Sequence, residues 1–220
     1  SHQGLQVDHM DGSKAVGFPE DVGEFYRLDE YEGYSWTAHG RYPTNTPGWW
    51  GGAHPFTLLD YSIVHNGEIS SYDANRRFIE MFGYKCNLQT DTEVITYIMD
   101  YLLRRQCLTF EEAASVIAAP FWSTIQKQDA NIRWELTYLR TVFSSLLITG
   151  PFSIVFGFDG GLMALYDRLK LRSMVIGEKE DKVFIASEEA ATRTMEPTAR
   201  NIWSPAGGEP VIVKVKEGAY

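Results

Sequence analysis

The sequence predicts an α+β fold built on antiparallel sheet, and three observations carry that prediction. Strand-like text stands at both ends of the chain with a block of helical text between, an order that alternating βαβ units do not produce. Asp159-Gly160-Gly161 separates two apolar runs, a strong hairpin signal. Two Thr-x-x-Glu boxes, Thr90 to Glu93 and Thr109 to Glu112, open helices in the middle of the chain.

The elements follow in order. Gly17 to Leu28 reads as a short helix, with Pro19 at its start and Val22, Phe25 and Tyr26 at near-helical spacing. Tyr34 to His39 is a strand candidate, and Gly40 to Pro55 is dense in Gly and Pro, which marks a long irregular loop. Loops of that length inside a compact domain usually carry function. Phe56 to Leu59 and Tyr61 to His65 read as a hairpin whose second strand runs into Asn66-Gly67. A helix from about Ser71 to Phe82 stops at Gly83. The next, capped at Thr90, carries Val94, Ile95, Ile98, Met99, Tyr101 and Leu102 as its apolar positions. The third buries Ala113, Val116 and Ile117, and a fourth lies within Ile132 to Phe143. Short strands follow at Phe152 to Phe158, Leu162 to Tyr166, Met174 to Ile176, Lys182 to Ala186 and Val211 to Val215, together reading as an antiparallel meander. No repeat, low-complexity run or linker interrupts residues 1–220, so a single domain is expected.

Composition removes several function classes. Hydrophobic residues make up 44% and charged residues 22%, globular proportions that exclude a disordered tail. A net charge of -9 leaves no cationic footprint for nucleic acid. The longest apolar stretch, Val142 to Phe158, is interrupted by Ser144, Ser145, Thr149, Gly150, Pro151 and Ser153, so no bilayer-spanning segment is expected. Cys86 and Cys107 form neither a disulfide framework nor a zinc spacing, which favours a reducing, cytoplasmic setting.

Four segments stand out for chemistry: His39-Gly40-Arg41-Tyr42-Pro43-Thr44-Asn45-Thr46, Ala53-His54-Pro55-Phe56, His65-Asn66-Gly67-Glu68-Ile69 and Thr90-Asp91-Thr92-Glu93-Val94. In this order and spacing the chain resembles the class II glutamine amidotransferases, N-terminal-nucleophile (Ntn) hydrolases that release ammonia from glutamine. Gly150-Pro151-Phe152-Ser153, the Ala164 to Arg172 segment and Ala186-Ser187-Glu188 are similar to that family's C-terminal half. Pro43 to Phe56 and Ala118 to Trp122 look closest to the amidotransferase component of archaeal-type glutamate synthase. The resemblance implies a four-layer αββα sandwich of two antiparallel sheets between helices.

It also implies roles. Hydrolysis of an amide passes through a tetrahedral oxyanion that needs preorganised donors, and Asn66 and Gly67 match the family's oxyanion hole. Taken alone, Asn-Gly reads as an ordinary turn. Arg41, with Thr44 assisting, matches the ligand of glutamine's α-carboxylate, a task suited to a forked guanidinium. Without the motif, Arg41 is a solvated loop arginine. Asp91 matches the α-ammonium ligand, although an Asp in the first turn of a helix is favoured by the helix dipole without any ligand. Tyr42, Trp49 and Trp50 are candidates to wall the pocket, or to cover a core edge. His54 stands among the substrate-site candidates, yet it and His65 read better as structural residues, because in this family the nucleophile's own α-amino group takes the proton. Glu68 and Glu93 read as structural or capping residues.

The family's nucleophile is an N-terminal cysteine followed by glycine and a strand, whereas this sequence opens Ser1-His2. Ser1 lacks that strand pattern, Cys86 reads as a buried structural thiol and Cys107 follows a helix end. The expectation is that the cysteine and its strand precede residue 1. A glutamine-binding subunit without hydrolysis, or a nonstandard nucleophile inside this sequence, are the other readings. The resemblance further implies L-glutamine as substrate, a glutamate synthase core domain or subunit as partner, and FMN and an iron–sulfur cluster on that partner, with no cofactor and no metal on this chain.

Overall fold

The computed structural model describes residues 13–40 and 48–216. Helix α1, Pro19–Phe25, uses Pro19 in its first turn, where a missing N–H costs nothing. Tyr34 to His39, expected as a strand, is irregular; the Thr37 hydroxyl lies 3.1 Å from Ser62 Oγ, and the Tyr34 hydroxyl accepts from Gly160 N at 3.2 Å. Trp50–Gly52 forms a single 3-10 turn.

Strands β1 (Phe56–Leu58) and β2 (Tyr61–Gly67) form the expected hairpin, with Leu59 at φ 52 in its turn. Helices α2 (Tyr72–Glu80), α3 (Asp91–Asp100, continued by a π-helical turn to Arg105) and α4 (Phe110–Ile117) follow. Gly83, at φ 88, ends the first of these as the sequence implies. Then come α5 (Trp122–Ile125), which spacing alone did not reveal, and α6 (Ala130–Val142), whose N-cap Asp129 accepts from Asn131 and Ile132. The rest comprises β3 (Phe152–Phe158), β4 (Gly161–Tyr166), β5 (Val175–Lys179), β6 (Lys182–Ala186), α7 (Glu189–Met195), β7 (Arg200–Trp203) and β8 (Val211–Lys214).

These later strands do not form one meander. They divide between a five-stranded antiparallel sheet, order β1-β2-β3-β4-β8, and a three-stranded antiparallel sheet, order β6-β5-β7. The period-2 alternation of β4 shows how they stack. Met163 and Leu165 join the large core beneath α3 and α4, while Ala164 and Tyr166 on the opposite face pack with Met174 and Ile176 of the smaller sheet. Helix α7 covers the outer side of β5 and β6. Helices, sheet, sheet and helix make the four-layer αββα arrangement expected from the resemblance.

Candidate functional site

The strand β2 ends at His65-Asn66-Gly67 in the interior of the larger sheet, paired with Ile154, Ser153 and Phe152 of β3. Alternation sends the neighbours His65 and Asn66 to opposite faces. Ile63 and His65 point toward the helices, where His65 Nδ1 lies 3.2 Å from Thr92 Oγ1 and 3.4 Å from Asp91 Oδ1. Asn66 points the other way and meets Arg172, in the loop between β4 and β5.

On the helix side, a buried polar network joins the loop, the strand and the start of α3. The Thr92 hydroxyl donates to Asp91 Oδ1 at 3.3 Å, so its oxygen accepts, and His54 Nε2 stands 2.9 Å from it. This assignment places protons on His54 Nε2 and His65 Nδ1. His65 Nε2 is buried and takes no hydrogen bond among the described residues. His54 is itself buried, with its ring 4.2 Å from that of His39 and 5.4 Å from that of Phe56. It belongs to this network and does not line the cavity described below.

Asp91 accepts from Ile69 N at 3.3 Å as well, and its side chain retains 19% exposure. Burial pushes its carboxyl up, but the bond and charge of His65 and the backbone N–H groups of Ile69 and Thr92 outweigh that and hold it below the ordinary carboxylate range. The exposed edge is thus an anion at neutral pH.

Gly67 is required by its own surroundings. A Cβ there would lie 2.7 Å from Phe152 Cα and 2.8 Å from His65 Nε2, and closer still to the Pro151 carbonyl. The reason glycine stands here is the crossing of β3, in addition to any substrate that approaches.

Asn66 opens onto a cavity of about 580 Å³, within the range of small-molecule sites. Lys170, Leu171, Arg172, Ser173, Ser187, Glu188 and Ser204 complete its walls. None of these was singled out as a site residue from sequence. The signal was present nonetheless, because Ala164 to Arg172 and Ala186-Ser187-Glu188 are two of the segments that carry the family resemblance. Arg172 is presented by a loop wound around Asp167, a buried carboxylate that accepts from the backbone N–H of Leu169 at 2.9 Å, Leu171 at 3.0 Å, Arg172 at 3.3 Å and Phe152 at 3.4 Å. Arg41, Tyr42 and Thr44 lie outside the described residues. Trp49 and Trp50 lie within them and are partly exposed, their rings 5.7 Å apart.

Neither cysteine matches a nucleophile. Cys86 is buried, and burial, followed by the charges of Glu93 and Glu80, pushes its thiol up to about 11. Cys107 is exposed between α3's extension and α4. Among the described residues no group of three or more His, Cys, Asp and Glu could hold a metal ion, and no helix is long and apolar enough to cross a membrane.

Comparison with known proteins shows what the chain is similar to. The family model "Glutamine amidotransferases class-II" matches residues 13–90, which include His54, His65, Asn66, Gly67 and the Thr90 cap. An uncharacterized protein of Archaeoglobus fulgidus is 50% identical over 92% of this chain and 54% of its own length. An amidophosphoribosyltransferase of Methanocaldococcus jannaschii is 26% identical over 93% of this chain and 38% of its own length. The chain therefore spans about half the length, or less, of these relatives. A solved glutamine phosphoribosylpyrophosphate amidotransferase from B. subtilis, complexed with ADP and GMP, superposes with a TM-score of 0.52 at 17% identity, over 80% of this chain and 32% of that one, a likeness of fold. Over residues 13–90 the chain is thus similar to the class II glutamine amidotransferases, and it shares the fold of the solved B. subtilis amidotransferase.

Proposed function

We propose that the chain is the glutamine-hydrolysing part of an ammonia-transferring enzyme, releasing glutamate and ammonia from L-glutamine. The observation that carries the reading is the placement of Asn66, at a strand end that the family match covers, with its amide on a cavity of small-molecule size beside the Arg172 guanidinium. In this reading a cysteine thiolate attacks the carboxamide carbon of glutamine. The Asn66 side-chain amide and the Gly67 backbone N–H receive the oxyanion, ammonia departs, and water releases glutamate from the thioester. Arg41 with Thr44 holds the α-carboxylate, the exposed edge of Asp91 the α-ammonium, and Tyr42 helps to wall the pocket. His54 acts through Thr92, keeping Asp91 in place. The attacking cysteine is neither Cys86 nor Cys107, and we place it outside residues 1–220.

The ammonia passes to a synthase partner, and the Pro43 to Phe56 and Ala118 to Trp122 texts support a glutamate synthase core as that partner, with FMN and an iron–sulfur cluster on it. The test is glutamine-dependent ammonia release by the full-length gene product. Asn66→Ala is expected to lower kcat by roughly 10² with little change in KM, whereas Arg41→Ala and Asp91→Ala raise KM. An unchanged kcat in Asn66→Ala removes the oxyanion assignment. Saturable glutamine binding without ammonia release makes the chain a glutamine-binding subunit instead.

A further inference from the structure

We propose that Arg172 is a positioning residue for the oxyanion donor: it holds the Asn66 side chain in the one amide orientation that turns its N–H groups toward the cavity. The inference rests on the glutaminase reading above. An asparagine amide has a donor end and an acceptor end of nearly equal size, and rotation by half a turn exchanges them. Only the donor end stabilises an oxyanion. A guanidinium has donors alone and stays charged at any working pH, so whatever end of Asn66 it holds must be the oxygen. Arg172 Nη2 donates to Asn66 Oδ1, and Asn66 Nδ2 donates to no described residue, which leaves it for a ligand in the cavity.

The backbone that carries the arginine is itself fixed. The backbone N–H groups of Leu169, Leu171 and Arg172 converge on the buried Asp167, which also accepts from Phe152 N, while Asp167 N donates to Phe152 O at 2.9 Å. Phe152 is the register partner of Gly67. One carboxylate thus ties the loop that carries Arg172 to the strand that flanks Asn66-Gly67, setting their separation through the backbone. Beyond orientation, a cation on the carbonyl oxygen polarises the amide and strengthens its N–H as a donor to an anion.

The experiment is a double-mutant cycle on glutamine hydrolysis by the full-length gene product, with kcat and KM measured for the wild type, Arg172→Gln, Arg172→Lys, Asn66→Ala and Asn66→Ala/Arg172→Gln. Arg172→Gln is expected to lower kcat about tenfold, short of the ~10² for removing the donor itself, with KM within about twofold. Arg172→Lys, which keeps the charge and a donor without the fork, is expected between the wild type and Arg172→Gln. In the Asn66→Ala background, Arg172→Gln is expected to change nothing further. A fully additive double variant overturns the proposal, because Arg172 then acts independently of Asn66. A raised KM with kcat intact also overturns it and makes Arg172 a direct substrate contact. A wild type without glutaminase activity removes the functional reading and this inference with it, an outcome distinct from either of the others.

Discussion

At the scale of single residues, burial separates groups that look alike in the text. Two free cysteines occur, and only Cys86 is buried, with its thiol pushed up to about 11. Alkylation of the native protein with iodoacetamide at pH 8 is therefore expected to label Cys107 and spare Cys86 until denaturant is added, as read by peptide mass spectrometry. Native labelling of Cys86 would contradict its placement. Gly67 was legible as important from the family resemblance of the segments around the Asn-Gly pair, but not for the whole of its reason. What a methyl group would strike belongs to β3 and to the His65 ring, so Gly67→Ala is expected to destabilise the fold by at least 1–3 kcal/mol in urea titrations, besides any effect on activity. Arg172 shows the converse case. Its partner Asn66 is more than a hundred residues away, and no local pattern joins them.

At the scale of elements, the two helix-start boxes read identically and fold differently. At Thr109 both halves form: its hydroxyl accepts from Glu112 N at 3.1 Å, and Glu112 returns a bond to Thr109 N at 2.7 Å. At Thr90 the hydroxyl accepts from Glu93 N at 3.2 Å, but the Glu93 carboxylate turns to the preceding loop and accepts from Asn87 N at 3.0 Å and Leu88 N at 2.8 Å. Glu93 is buried, whereas the Thr109–Glu112 bonds are exposed. Glu93→Ala is accordingly expected to cost more than Glu112→Ala by about 1 kcal/mol, since it removes a buried carboxylate that two part-buried backbone donors share. Equal costs in chemical denaturation would mean that both act as simple caps. The elements missed from sequence, α5, α7 and β7, span four, seven and four residues, too few to establish a period. Tyr34 to His39 had strand composition but is irregular, because a strand is made by its ladder and not by composition alone.

At the scale of the whole molecule, the two sheets are unequally anchored. The larger sheet shares an extended core with α2, α3, α4 and α6, whereas the buried cluster joining it to the smaller sheet is, among the described residues, Ala164, Tyr166, Met174 and Ile176, with Val183, Ile185 and Val211 partly buried against it. Amide hydrogen exchange is expected to find β5, β6 and β7 opening at lower free energy than β2 and β3. Uniform protection across both sheets would refute that. Acid is expected to act through Asp91 and Asp100. Burial pushes the Asp100 carboxyl up, but Arg104, at 2.7 and 2.8 Å, and the Tyr84 hydroxyl more than offset it, so both acids sit below their ordinary range. A depressed carboxylate contributes stability above its unfolded value of about 4 and loses it as pH falls through the lower folded value. Urea-unfolding free energies should be flat with respect to these groups above pH ~5 and decline below ~4, less steeply in Asp100→Asn.

Hairpins, caps, the helical block and the text of the β2 strand end were all determined by the sequence itself, because each depends on residues within a few positions of one another: a turn needs its glycines, a cap its hydroxyl, a strand face its alternation. The family resemblance rests on the same local texts. The tertiary structure alone decided how the later strands divide between two sheets, which side of β2 each of His65 and Asn66 serves, and which loop closes on Asn66. Those outcomes depend on pairings across long separations, where burial of one face and the donors that happen to converge there choose among options that neighbouring residues leave equal.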